Sequence, residues 1–543
     1  RTVLNHSTRY DGFGMRELRC DVLVAGGGVG GCAAALAAAE SGAQVVLTEE
    51  LPWIGGQLTS QGVPPDENPW IESFGGARTY QDLRRRVRAY YRDGYPLKSV
   101  HKDDPMLNPG GGFVSAICAE PRVWLAALHS LLAPHLASGR IVLLEQHHPF
   151  WVDYEGDVIQ SVEYRNERTA HFVNVVPKVV VDATETGEIL PLAKAEYVVG
   201  AESQTQTGER NAPAEANPRN QQAITWCFAM GYDPDGDHTI AKPAEYSFWR
   251  SLQPSFWPGN LLGWDDVHPI TLRTRRLGLF PGDGETSMFE YRKIVDGEKY
   301  TAGGPNESVT LVNWPLNDAF LTPVVDVSDV EEQKGLHQAR ELSRCLLYWL
   351  QTDAPRPDGG TGYPGLRARG ELMGSADGLA MAPYIREGRR LQAQYTVVEQ
   401  DLSPLDRPGD NLAERYPDSV GIGHYRIDLH PSTGGDNYID VPSLPFRIPL
   451  RALIPVRMRN LLAGGKNLGV THITNGCYRL HPVEWSVGEA AGVAAAMAAL
   501  HDEPVQGIPF QRVQERLEAR GVPLAWPENL ELPAWFLASR DSG

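Results

Sequence analysis

Gly26-Gly27-Gly28-Val29-Gly30-Gly31 satisfies GxGxxG and lies between an apolar run, Asp21-Val22-Leu23-Val24-Ala25, and an alanine-rich stretch. Three of these glycines have separate physical work. Gly26 allows a tight turn, Gly28 lets the backbone approach a pyrophosphate, and Gly31 lets a helix sit close on a sheet. The free amides and dipole of the helix that follows favour negative charge there. Glu49 ends the next apolar run, at roughly the 20-residue separation from the glycines at which a carboxylate accepts hydrogen bonds from ribose hydroxyls. An acid in that place disfavours a 2′-phosphate. A second match, Gly360-Thr361-Gly362-Tyr363-Pro364-Gly365, follows no strand and carries proline where a helix would begin, so it reads as loop.

The elements that must position these residues are legible around them. Asp21 to Ala25 predicts a buried strand, Val29 to Ser41 a helix closed by Gly42, and Ala43 to Thr48 a second strand, which is a β-α-β unit with parallel strands. Arg78 to Tyr91 and Glu120 to Leu136 predict helices. Ile141 to Leu144 and Lys178 to Val181 predict strands, the latter ending in Asp182-Ala183-Thr184. From about Glu202 to Pro323 short strands punctuated by Trp, Pro and Gly predict an inserted antiparallel unit. Ser328 can cap the amides near Glu331 at the start of a helix running to about Leu350. A Gly- and Pro-rich loop follows from Asp353 to Gly378. Asn460 to Gly465 predicts a strand broken on glycine, and Trp485 to Leu500 a close-packing helix.

Other candidate groups are more open. His472 suits proton transfer, and equally suits a structural hydrogen bond. Asp428 and His430 alternate as on a strand, so they share a face; the plainer reading of them is a surface pair. Arg386 and Arg390 stand one turn apart if helical, with Glu387 between them, and are suited to clamping an anionic group or, equally, to forming an ion-paired structural patch. Arg479 is a further charge suited to positioning substrate or cofactor. His147 and His148 are adjacent on a strand and point to opposite faces, so no metal is implied.

The chain has 543 residues, 42% hydrophobic and 22% charged, with a net charge of -18. That balance opposes phosphate-backbone binding, so nucleic acid is not expected as a partner. The six cysteines form no CxxC pair, which excludes a zinc ribbon or a redox dithiol. No stretch reaches the roughly 18 to 20 apolar residues of a membrane span. The first residues, Arg1 to Gly14, are polar with no apolar signal region, so the cytoplasm is the default location, although the chain does not begin with Met. The oligomeric state is not legible.

Further blocks carry a resemblance: Trp53-Ile54-Gly55-Gly56-Gln57-Leu58-Thr59, the Val180-Val181-Asp182-Ala183-Thr184 strand end, Gly464-Gly465, and Gly488-Glu489-Ala490-Ala491-Gly492. Pro383 to Arg390 and Thr471-His472-Ile473 with Arg479 and Pro482 belong to the same pattern. From about Cys20 to Leu500 the chain resembles the FAD-dependent oxidoreductase family with the glutathione-reductase-type FAD fold. Two departures are Gly465-Lys466 where relatives commonly have Gly-Arg, which loses a bidentate fork, and Glu-Gly-Arg where Glu-Ser-Arg is expected.

The resemblance implies an α/β protein with a Rossmann-type FAD-binding domain and an inserted, mainly antiparallel α+β substrate domain. The expected boundaries are 15–205 and 340–503 for the FAD domain, 206–339 for the substrate domain, and 504–543 for a C-terminal tail. It implies FAD held by Gly26, Gly28, Gly31, Glu49, Gly55, Gly56, Gln57, Asp182, Gly465, Gly488 and Glu489. Gly488 is expected to offer helix amides to a second phosphate contact, its alternative being a close-packed helix. Catalysis falls to His472, Arg386, Arg390 and Arg479, and the expected reaction is hydride transfer between flavin N5 and a small molecule, with an alcohol, sugar or amine favoured. The alternatives are reduction of an activated carbon-carbon double bond, and a non-catalytic or RNA-modifying flavoprotein.

Overall fold

The computed structural model describes residues 15–540; the polar segment Arg1 to Gly14 lies outside the described residues. The main sheet grows from one long strand. β1 (Arg16–Ala25) leads through the glycine loop into α1 (Val29–Glu40), and β2 (Val45–Glu49) returns beside β1 in parallel, with Ala25 opposite Thr48. After α2 (Arg78–Gly94) and α3 (Pro121–Ala137), β3 (Ile141–Glu145) extends the parallel edge beyond β2.

The chain then turns back through β4 (His147–Glu155) and β5 (Val158–Asn166), an antiparallel pair, into β6 (Phe172–Asp182). β6 lies parallel to β1 along one edge, pairing Ala25 with Asp182. Its other edge is divided: β5 pairs with its first half, and a late short strand, Leu461–Ala463, runs parallel to its last residues. The carboxyl ends of β1, β2, β6 and that late strand therefore converge on one rim, where ligands of open α/β sheets bind.

Three strands of the expected inserted unit join one from beyond it in a four-stranded antiparallel sheet, Lys293–Val295, Val309–Val312, Phe228–Tyr232 and Leu366–Ala368 in spatial order. The helix Asp329–Thr352 has Ser328 at its N-cap, accepting from the Glu331 amide. This helix spans the expected boundary at 339 and 340. Leu366–Ala368, from the Gly- and Pro-rich stretch, completes the antiparallel sheet.

α1 and the late helix His481–His501 are alanine-rich and buried almost all round because they pack on each other as well as on the sheet. A β-carbon on Gly492 would collide with Ala34, so the small residues set how near the two axes approach. Among the described residues, no helix is long and apolar enough to cross a membrane.

Candidate active site

The first half of the site is a glycine cradle. Gly26 has φ +92°, a conformation that side-chain-bearing residues avoid, and a β-carbon there would lie 2.6 Å from the Thr184 nitrogen. A β-carbon on Gly31 would run into the Gly26 carbonyl, so the first turn of α1 sits directly against the loop. The N-cap of α1 is Gly28, which has no side chain to cap it, and the Gly30 amide meets the Glu484 carboxyl. A helix N-terminus of this kind also favours an anionic ligand.

Gly55, with φ +106°, donates its amide to the Gly27 carbonyl at 2.7 Å, and a β-carbon on Gly56 would lie 3.0 Å from the Gly28 Cα. The two glycine loops thus face each other. Glu49 fixes the first of them: its Oε2 accepts the Gly27 amide at 3.0 Å and its Oε1 the Leu51 amide at 2.9 Å. Burial, reinforced by Glu50, pushes its carboxyl well above the usual range.

Beside the cradle lies a cavity of about 1130 Å³, lined by Glu49, Glu50, Gly56, Gln61, Glu185, Pro383 and Ile385 among others. That volume lies just above the roughly 300–1,000 Å³ usual for ligand pockets, as a long cofactor needs. Gln57 Oε1, Gln61 Oε1 and Glu185 Oε1 are buried acceptors without a partner among the described residues. Hydroxyl donors would satisfy them, and FAD brings ribityl and ribose hydroxyls. At Gly28 the nearest atom to an added β-carbon is Glu185 Oε1 at 3.1 Å, so the protein leaves space where the phosphate would come. The residues fit FAD.

The remaining expected cofactor residues divide. Gln57 is fully buried and donates to the Arg479 carbonyl at 3.0 Å and to Glu484. Gly465 donates to Asn467 at 3.3 Å, while Lys466 reaches Glu185 at 2.6 Å and the Ile385 carbonyl at 2.7 Å. Asp182 accepts the Thr184 amide and hydroxyl and so shapes the strand end under the cradle; burial pushes its carboxyl up to about 6.

Gly488 does not offer terminal amides. Its helix begins at His481, with Pro482 in the first turn, so the Gly488 amide lies inside the helical hydrogen-bond ladder and the residue serves the crossing with Gly30. Glu489, about 100° further round the helix, is taken up by the Thr79 hydroxyl at 2.6 Å and Arg520 at 2.9 Å. The acid that does face the glycines is Glu484, which the sequence reading missed. Its carboxyl is pushed up to about 7 by burial, with Glu185 adding to the rise and Lys466 opposing it.

The second half of the site is a cavity of about 470 Å³. The segment 383–386 is extended, not helical, so its side chains alternate. Pro383 and Ile385 line the cofactor-side cavity, whereas Tyr384 and Arg386 line this one. The segment therefore borders both spaces.

The helical clamp expected of Arg386 and Arg390 is therefore absent. Arg386 is buried and donates to the Ala223 carbonyl at 2.6 Å, Thr225 at 3.0 Å and Asp318 at 3.1 Å. Arg390 turns the other way, to Gly200 at 2.6 Å and Glu202 at 2.9 Å. Arg479 does line the second cavity, donating to the Tyr384 hydroxyl at 3.0 Å and to Asp428 Oδ2 at 3.2 Å.

His430 proves to be more than a surface residue. Its Nδ1 lies 2.6 Å from Asp318 Oδ2, and its Nε2 lies 3.7 Å from Asp428 Oδ2, in the wall of this cavity. Burial works against the Asp318 charge, but Arg386 and His430 hold that carboxyl below its usual range. Asp318 orients the His430 ring through Nδ1, with Nε2 on the Asp428 side of the cavity.

His472 lines neither cavity. Its Nδ1 pairs with Glu387 Oε2 at 2.8 Å, and Glu387 also accepts from Gln222 at 2.9 Å. Burial opposes the imidazolium, yet Glu387 outweighs it and raises the His472 pKa. His472 holds the segment next to Arg386 from behind.

At the mouth of the cofactor-side cavity, Glu50, His148 and Glu188 converge. The Glu50 hydrogen bond, with Glu188 nearby, pushes His148 up to about 9, so the imidazolium itself supplies the cation between the acids.

A glycine cradle on the rim of a parallel sheet, linked by the segment 383–386 to a buried cavity with an oriented histidine, defines a dinucleotide-dependent redox enzyme. The family model described as FAD dependent oxidoreductase matches residues 21–517, and the chain belongs to that family. FAD is its cofactor. Comparison with curated protein sequences gives no significant match.

Among solved structures, adenylylsulfate reductase from Archaeoglobus fulgidus is 15% identical over 32% of each chain, with a TM-score of 0.22; the match thus spans about a third of that protein. A geranylgeranyl bacteriochlorophyll reductase-like protein from Thermoplasma acidophilum is 12% identical over 93% of this chain and 85% of its own, with a TM-score of 0.32. The quinol fumarate reductase of E. coli is 11% identical over 93% of this chain and 74% of its own, also at 0.32.

Proposed function

We propose that the enzyme oxidises a hydroxyl or amine on a small organic molecule bound in the 470 Å³ cavity, with His430 taking the proton. The observation that carries this reading is the 2.6 Å contact between His430 Nδ1 and Asp318 in the wall of that cavity. FAD, when bound, supplies the hydride acceptor. The protein's own part is to bind, orient and deprotonate: Asp318 orients His430, and the Tyr384–Arg386 segment borders both the substrate's cavity and the cofactor's space. Asp428, paired with Arg479 at 3.2 Å, lies 3.7 Å from His430 Nε2 and stabilises the imidazolium as it forms.

Arg386 and Arg479 beside the same histidine also favour a second reading, in which the arginines hold an unsaturated acid and a protonated group delivers the proton during reduction of its double bond. Anaerobic mixing with alcohols, sugar derivatives, amines and amino acids decides between them. Bleaching of the oxidised flavin supports the oxidase or dehydrogenase, whereas reoxidation of chemically reduced flavin by an enoate supports the reductase.

A further inference from the structure

Among the described residues, one cation of the second cavity has no carboxylate at hydrogen-bonding distance. Five arginines line it: Arg275, Arg292, Arg386, Arg426 and Arg479. Four have a carboxylate at hydrogen-bonding distance. Arg275 pairs with Asp266 at 2.6 Å, Arg386 with Asp318 at 3.1 Å, Arg426 with Asp440 at 2.5 Å, and Arg479 with Asp428 at 3.2 Å.

Arg292 differs. Only 9% of it is exposed, its Nη1 donates to the Asn313 carbonyl at 2.8 Å, and its Nε has no acceptor among the described residues. Its nearest carboxylate is Asp66, at 4.0 Å, beyond hydrogen-bond reach. Burial raises the Asp66 pKa despite Arg292 and Arg479, so this acid is a weak counterion. The Tyr291 ring, 4.5 Å from the guanidinium carbon, covers one face of the group.

A buried charge without a close counterion is costly, and a bound anion would offset that cost. The planar fork of donors matches a carboxylate. Around it stand Trp314, Tyr384, Tyr425 and Phe536, which suit the flat face of a ring.

We infer that the substrate is a carboxylic acid whose carboxylate pairs with Arg292, which makes this residue the specificity determinant that separates acids from neutral alcohols, sugars and amines. The inference rests on the reading of this cavity as the substrate site.

The test is binding without turnover. The FAD-loaded protein is titrated with benzoate, mandelate, gluconate and succinate, with benzamide and mandelamide as neutral counterparts, and with phenyl phosphate, following flavin absorption and calorimetric heat. At least one carboxylate should bind saturably where its amide does not. Arg292→Gln should weaken that binding roughly 10- to 100-fold, as expected for loss of a charged hydrogen-bond partner, and Arg292→Lys, which keeps charge but not the fork, should fall between. If Arg292→Gln does not fold, the acid-to-amide comparison and the Lys variant decide.

Absence of carboxylate binding, equal binding of acid and amide, or undiminished binding in the variants would overturn the inference. A preference for phenyl phosphate over benzoate would overturn it in favour of a phosphate ester. A carboxylate that binds through Arg292 but never exchanges electrons with the flavin would leave the inference standing and remove the redox reading. A neutral alcohol that bleaches the flavin equally fast in wild type and Arg292→Gln would do the reverse.

Discussion

Gly488 and Gly30 meet where the last long helix crosses α1: a β-carbon on Gly488 would lie 2.6 Å from the Gly30 Cα and overlap its carbonyl oxygen. The crossing also locates the cradle, because Gly30 lies in the first turn of α1. Gly488→Ala should therefore push the two helices apart and cost about 1–3 kcal/mol of stability, as overpacking does. Thermal unfolding should show the loss, and FAD content should fall with it.

Gly28→Val should behave in the opposite way. The space at Gly28 is bounded on the protein side by Glu185 Oε1, 3.1 Å from a β-carbon, which is the end of a side chain that can shift. The variant should keep its secondary structure by circular dichroism and lose bound flavin absorption, because the new side chain takes the place of a phosphate. A folded variant with full flavin would refute the cradle.

Glu484 carries a pH dependence. Its folded pKa is pushed up to about 7, against roughly 4.3 for an unperturbed glutamate, so between these values the folded chain holds a proton that the unfolded chain has released. Stability therefore falls as pH rises from about 4.3 towards 7, and the term is level above that. Glu484→Gln should remove this slope in denaturant unfolding of the apoprotein between pH 5 and 8. Negative charge arriving beside Gly28 and Gly465 favours the neutral acid, so FAD should also bind more weakly as pH rises through 7 in the wild type, and less so in the variant.

His472→Ala should damage stability rather than chemistry. Removing the imidazolium leaves Glu387 buried and short of its counterion, a change worth about 3–5 kcal/mol when one partner of a buried pair is lost. The rate of flavin reduction per bound flavin should stay near the wild-type value, which anaerobic rapid mixing measures directly.

The parts of this site that were legible in the sequence are those made by neighbours along the chain. Strand, glycines, helix and the acid at Glu49 announce themselves within one β-α-β unit, since turn geometry and helix packing constrain each glycine locally. The last helix was legible as a helix, but its start was misjudged: Pro482, a residue suited to a first helical turn, marks a beginning seven residues before Gly488, so neither Gly488 nor Glu489 lies in the first turn. Arg386 and Arg390 misled because spacing alone cannot tell a helix from an extended segment. The dyad was out of reach for another reason. Asp318 lies 112 residues before His430, and nothing in either local pattern says that the two must meet.

The most direct measurement of the central claim is anaerobic stopped-flow reduction of bound FAD in His430→Ala, using whichever substrate bleaches the wild-type flavin. The account predicts a folded, flavin-replete variant whose reduction is slowed by roughly 10² to 10⁴, the usual worth of a positioned base, with Asp318→Asn slowed in the same direction through loss of the orienting contact. An unchanged reduction rate constant in flavin-replete His430→Ala would contradict it and remove the dyad from the chemistry.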